Sequence, residues 1–150
     1  MQFAFLGISY QNTELEVREK AAFTDQKKMD FFHEAEQAGI RQCMILSTCN
    51  RSEVFYFWKE EKQKKQILKI YKSMFPEVEL EDYIRQDQGK EAVLYLFRVA
   101  AGLESMVAGE DQILGQVKHA QEFSRMMGAC GKELDKVVRD AVTCAKKIKS

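Results

Sequence analysis

The chain has 150 residues, enough for one domain with a real core, and its 45% hydrophobic and 31% charged residues are ordinary for a globular protein. Lysine plus arginine and aspartate plus glutamate number 23 each, so no global charge draws the chain to nucleic acid, and any such contact must rest on local patches. No stretch is apolar for long enough to cross a bilayer, and the opening MQFAFLGISYQ lacks the basic start and long apolar run of a signal peptide.

Residues 2–8 predict a strand, with Gly7 marking a bend or a close approach near its end. ELEVREKAA (14–22) has helix-forming composition. Thr24 reads as the N-cap of a helix running to about Ala38, with Asp25 in its first turn and Gly39 as its stop. RQCMILST (41–48) and SEVFYFWK (52–59) predict two strands, placing Cys49, Asn50 and Arg51 at the polar turn between them. A lysine-rich helix follows over about 60–74, stopped at Phe75-Pro76. After an acidic segment and a short extended YIRQ, the pattern from about Lys90 onward is helical. Its apolar stripes are Val93, Leu96, Phe97 and Ala100; then Ile113, Val117, Ala120 and Phe123; then Leu134, Val137, Val138, Ala141, Ala145 and Ile148. The expected class is α+β: a small mixed α/β sheet subdomain over about 1–88, then a helical bundle subdomain over about 89–150.

Four cysteines (43, 49, 130 and 144) form no CxxC pair, and the two histidines, His33 and His119, stand far apart. That is a poor zinc set and a poor disulfide framework, and reduced thiols in a cytoplasmic protein are the simplest reading. An isolated cysteine is ordinarily a packing residue. Cys49 differs in its setting, LSTCNRSEVF (46–55). A thiol at a strand end is held rigidly yet exposed, Arg51 can favour the thiolate and clamp a carboxylate, and Thr48 and Asn50 can orient a carbonyl or amine. That setting brings the packing and nucleophile readings close to balance. Cys43 lies within a strand, and Cys130 and Cys144 lie in or beside late helices, so they keep the packing reading.

A second segment, RVAAGLESMVAGEDQILGQVKHA (98–120), sets Glu104, Ser105, Glu110, Asp111, Gln112 and Gln116 around Gly102 and Gly109. These groups suit recognition of an amino acid, although on pattern alone the better reading is that Glu110 and Asp111 sit at a helix N-terminus, where negative charge is favoured. The six lysines between Lys59 and Lys72 suit either RNA phosphates or a solvated helix face.

Taken together, STCNR-E-V, RVA-GL-SMV-GE-QILGQVK and the opening GI…E-VREKAAF (7–23) resemble the catalytic domain of the glutamyl-tRNA reductase family nearly end to end. The resemblance implies that Cys49 attacks the glutamyl ester of charged tRNA, and that hydride from NADPH reduces the thioester to glutamate-1-semialdehyde for tetrapyrrole synthesis. It implies that Thr48, Asn50, Arg51, Ser105, Glu110, Asp111, Gln112 and Gln116 contact substrate. Three places depart from the family pattern. Tyr95 stands where the family usually has a catalytically important histidine, and an unperturbed tyrosine is a weak base at neutral pH. Ser9-Tyr10-Gln11-Asn12-Thr13-Glu14 replaces N-H-K-T-A-P, and Asp111 replaces a proline.

No GxGxxG occurs, so NADPH is expected on a domain outside this chain. The last helix resembles the start of the family's long spinal helix, which favours a piece of a longer homodimeric enzyme over a naturally short relative. Glutamate-1-semialdehyde aminomutase is the channelling partner the resemblance implies. The alternative function is a non-reducing module that binds glutamyl-tRNA or a partner protein and regulates the pathway.

Overall fold

The first strand, β1 (Gln2–Ser9), is apolar on both sides of its pleat: Phe3 and Phe5 point one way, and Ala4, Leu6 and Ile8 the other. A strand of this kind must be covered on both faces, and the computed structural model, which describes residues 1–105 and 112–149, shows how. β1 lies between β3 (Arg51–Trp58) and β4 (Arg85–Gln88), and β2 (Cys43–Thr48) completes an antiparallel sheet of order β2-β3-β1-β4. On one face lie α1 (Leu15–Lys20), α2 (Asp25–Gln37) and α3 (Glu61–Ser73), whose Phe31, Phe32, Ile67 and Tyr71 pack on Leu6, Ile45, Val54 and Tyr56. On the other lie α4 (Lys90–Ala100), α5 (Gln112–Met126) and α6 (Lys132–Lys149), packed on Phe3, Phe5, Met44, Leu46 and Phe55.

The α+β class and the order of its halves are as expected, and each predicted element is present. The later helices do not form a bundle with a core of its own: they use the sheet as one wall. Hence α4 is turned from its predicted stripe. It buries Ala92, Tyr95, Leu96, Val99 and Ala100, leaving Val93 and Phe97 half-buried. Ile148, placed on the core stripe of α6, is 54% exposed.

Local chemistry sets the ends. Thr24 Oγ1 accepts the Lys27 amide at 3.1 Å, capping α2, and Gly39 leaves that helix at a φ of +82°. Gln63 joins the α2–β2 and β3–α3 connections, accepting the Lys59 and Glu60 amides at 2.8 and 3.1 Å while donating to the Gly39 carbonyl at 3.3 Å.

The helix directions bring the sequence motifs together. Gly89, just before α4, donates to the Phe3 carbonyl at 2.7 Å, so α4 ends where β1 ends. α5 packs on β2 in the opposite sense, because Ser124 near its C-terminus donates to the Cys43 carbonyl at 2.6 Å. The 12 residues from Ser124 back to Gln112 span about 18 Å, close to the roughly 17 Å of β2. The first turn of α5 therefore arrives at the end of the sheet that carries the β2–β3 turn.

Candidate functional site

Thr48 pairs with Arg51, leaving Cys49 and Asn50 as a two-residue hairpin turn. Two-residue hairpins usually place residues at positive φ, but neither residue does here, and outside contacts hold the turn. Arg18, buried on α1, donates from Nε to the Cys49 carbonyl at 3.1 Å and from Nη1 to the Thr13 carbonyl at 2.5 Å. The Tyr10 amide donates to the Asn50 carbonyl at 2.8 Å, and the Asn50 amide to Thr48 Oγ1 at 3.1 Å. Both turn carbonyls are thereby pinned, and the Cys49 side chain is presented on a fixed backbone.

Of the four cysteines Cys49 is the exposed one; Cys43 is buried, and Cys130 and Cys144 are half-buried. Burial pushes the Cys43 thiol well up. An open cleft of about 480 Å³ lies beside Cys49, lined by Arg18 and Glu19 of α1, by Ala22 just after it, and by Ser47 and Thr48 of β2. Such a cleft gives an approaching carbonyl room to meet the sulfur. Sequence reasoning missed Arg18. The available signal was its place beside Val17 and before Ala21, on the side of α1 that packs inward.

Arg51 does not face this cleft. Arg51, Glu53 and Phe55 alternate onto the α4–α6 face, where the Arg51 guanidinium is 1% exposed. It donates from Nη1 to Glu53 at 3.2 Å and to the Tyr95 hydroxyl at 3.0 Å, and from Nη2 to the Glu104 carbonyl. The Tyr95 hydroxyl in turn donates to the other Glu53 oxygen. The clamp inferred from sequence is thus engaged within the protein, and among the described residues only Nε of its fork lacks a partner. The physical reason is Glu53, a buried carboxylate two residues along the same strand face, which needs a cation beside it.

Gly7, paired with Glu53 across the strands, makes this packing possible. A Cβ there would lie 2.4 Å from the Ser52 carbonyl oxygen and 2.6 Å from Glu53 Cα. This is the close approach the sequence suggested. Tyr95 stacks on Phe5, with ring centroids 4.1 Å apart, and the Arg85 guanidinium lies 5.0 Å from its ring. Burial raises the Tyr95 hydroxyl, reinforced by the neighbouring Glu53 carboxylate, so the hydroxyl keeps its proton and hydrogen-bonds within the cluster. Burial also raises the Glu53 carboxyl, against the opposing pull of Arg51 and Tyr95. For Arg51, burial works against the charge, but Glu53 and Tyr95 together outweigh it and raise the guanidinium further.

Those of the remaining predicted residues that the structure describes fall around this end of the sheet. Thr48 and Asn50 are half-buried in the hairpin, and Ser105 is half-buried just after α4. Gln112 is exposed and Gln116 half-buried on the first turns of α5. Glu110 and Asp111 lie outside the described residues. Glu104, beside Ser105, holds both arginines of the region: its carbonyl accepts from Arg51 and its carboxylate meets Arg98 at 3.5 Å. Among the described residues no helix is long and apolar enough to cross a membrane.

An exposed thiol on a braced hairpin, at one end of a sheet covered by helices on both faces, defines an α+β domain that presents a cysteine at its surface. Residues 6–150 match the family model described as glutamyl-tRNAGlu reductase, N-terminal domain. The whole chain is 41% identical to 37% of a glutamyl-tRNA reductase from Clostridium novyi, and 38% identical to 36% of one from Alkaliphilus metalliredigens. A solved structure, glutamyl-tRNA reductase from Methanopyrus kandleri, superposes on 98% of the chain and 34% of its own, with a TM-score of 0.81 at 32% identity. The chain belongs to the glutamyl-tRNA reductase N-terminal domain family, and it spans about a third of the length of the relatives it matches.

Proposed function

We propose that the chain is the acyl-accepting domain of a glutamyl-tRNA reductase, with Cys49 as its nucleophile. The observation that carries this reading is the presentation of Cys49: the one exposed cysteine of four, on a turn whose two carbonyls are pinned by Arg18 and Tyr10. The thiolate is the reactive form of a cysteine. Its sulfur attacks the ester carbonyl of the glutamyl group, and the C–O bond to the tRNA ribose breaks. The released alkoxide takes up a proton, leaving a thioester on Cys49 and free tRNA. A fixed turn contributes by holding sulfur and carbonyl in reacting distance, which removes much of the entropic barrier.

Thr48, Asn50, Ser105, Gln112 and Gln116 supply short polar groups at the same end of the sheet, suited to hold the glutamyl amine and carboxylate. Arg51 contributes from behind, fixing the start of β3 to Glu104 and so holding the hairpin against the segment that carries Ser105. NADPH, held by residues outside 1–150, would supply the hydride that reduces the thioester to glutamate-1-semialdehyde.

The test is incubation with glutamyl-tRNA followed by intact-protein mass spectrometry. A hydroxylamine-labile glutamyl adduct is expected on the parent chain and none on Cys49→Ser. The same thioester on Cys49→Ser, or no adduct on folded parent protein with fully charged tRNA, would overturn the assignment; the second result would leave the binding-module function.

A further inference from the structure

Among the residues that line the cleft beside Cys49, Arg18 is the one cation. It is 6% exposed, although its neighbours Leu15, Glu16, Glu19 and Lys20 on the short helix α1 all face solvent. A charge withdrawn this far from water is ordinarily matched by an opposite one. Arg18 has no carboxylate beside it among the described residues. Its partners are neutral: Nε donates to the Cys49 carbonyl at 3.1 Å and Nη1 to the Thr13 carbonyl at 2.5 Å.

That leaves Nη2, whose N–H groups find no acceptor among the described residues. Nη2 is also not one of the unpartnered atoms sealed inside the protein, as Arg51 Nε is. It therefore opens on the cleft that Arg18 lines. The guanidinium is planar, so one N–H of Nη2 runs parallel to Nε–H. A free donor thus points to the side on which Nε meets the Cys49 turn. Arg51 is no rival for this role, because its guanidinium is engaged by Glu53, Tyr95 and Glu104 on the other face of the sheet.

We propose that Arg18 is the specificity-determining residue for the acyl group. Its Nη2 donates to the side-chain carboxylate of the glutamyl group while the ester carbonyl lies against Cys49 Sγ. The proposal rests on the reading above that Cys49 accepts a glutamyl group, and the carboxylate supplies the counter-charge that the protein leaves out. The reach fits: the ester carbon and the side-chain carboxyl carbon of a glutamyl group are at most about 5 Å apart, and Arg18 touches the backbone of Cys49 itself. The other charge of the cleft, the exposed Glu19, has no ion pair among the described residues and suits the ammonium of the same group.

The test compares acylation of Cys49 from one tRNA charged either with glutamate or with glutamine, which has the same length and shape but no side-chain charge. Intact-protein mass spectrometry over time gives the two rates, and their ratio is the readout. The parent is expected to prefer glutamate by about 10- to 150-fold, the range for one hydrogen bond to a charged group. Arg18→Gln should bring the ratio close to one, whereas Arg18→Lys, which keeps the charge without the fork, should retain part of the preference. Loosening the turn alone would lower both rates alike and leave the ratio unchanged, so the ratio separates recognition from bracing. Circular dichroism melting checks that the variants are folded. Should Arg18→Gln not fold, Ala22→Asp decides: it leaves the brace in place, supplies a carboxylate on the same cleft wall, and should likewise abolish the preference. Equal rates on the parent, or a glutamate preference that survives in the folded variant, would overturn the proposal and leave Cys49 as the acceptor. No adduct from either tRNA on the folded parent would overturn the function itself, and the proposal with it.

Discussion

Tyr95→Phe isolates the hydroxyl at the centre of the buried charge cluster. The substitution keeps the ring and hence the stack on Phe5 at 4.1 Å. What it removes is the donor to one Glu53 oxygen and an acceptor for Arg51 Nη1 at 3.0 Å. Arg51 still has Glu53 at 3.2 Å through the same nitrogen, so the principal loss is the hydrogen bond to a buried carboxylate. A hydrogen bond to a charged group contributes about 1.5–3 kcal/mol. For a chain of this length, that loss corresponds to a fall in Tm of roughly 3–12 °C. Urea denaturation and thermal melting, both followed by circular dichroism, measure the two quantities independently. Loss of less than about 0.5 kcal/mol, the usual range for a surface change, would mean that the hydroxyl does not hold Glu53 and that the cluster is wrongly described.

Further outcomes follow from the same geometry. Gly7→Ala forces a Cβ to within 2.4 Å of the Ser52 carbonyl, a backbone atom that cannot swing aside; denaturation should show a loss of about 1–3 kcal/mol or more, and a neutral result would refute the close approach. Iodoacetamide under native conditions should modify Cys49 first and leave Cys43 untouched until denaturant is added, as peptide mapping would show; early labelling of Cys43 would contradict its burial. Because the Glu53 carboxyl is raised on folding, the folded state keeps a proton that the unfolded chain releases near pH 4.3. Its contribution to stability is full below that pH and declines as pH rises toward the raised value. Stability of the parent minus that of Glu53→Gln should therefore fall with pH in this window, and a flat or rising difference would refute the shift.

Local signals carried most of the fold. The Thr24 cap, the Gly39 exit and the polar break after Thr48 are each decided within a few residues, which is why element positions could be read from the chain. Cys49 was legible for the same reason, since a thiol between two strand patterns must sit at their turn. The burial of Arg51 was not legible because it depends on Tyr95 and Glu104, which lie far along the chain. One signal was present in RSEVFYFW: a strand buried on both faces that contains arginine and glutamate two apart must pair them inside. The stripe on α4 failed in a related way. Helical periodicity gives the amphipathic face, but only the neighbouring sheet decides that Tyr95 turns inward and Val93 does not.

The double-sided burial of β1 also bears on how the chain is made. The strand that ends up inside the sheet is made before every element that covers it, and its neighbour β4 arrives only with residues 85–88. Its second face waits longer still, for helices spread over residues 90–149. Until then Phe3, Phe5, Met44, Leu46 and Phe55 form an uncovered apolar sheet face on the nascent chain, the kind of surface that aggregates during slow synthesis. A polypeptide ending near residue 88 would carry that face permanently. Expression of 1–88 alone should yield insoluble or chaperone-bound material, and the two halves, though distinct in composition, mature as one cooperative unit.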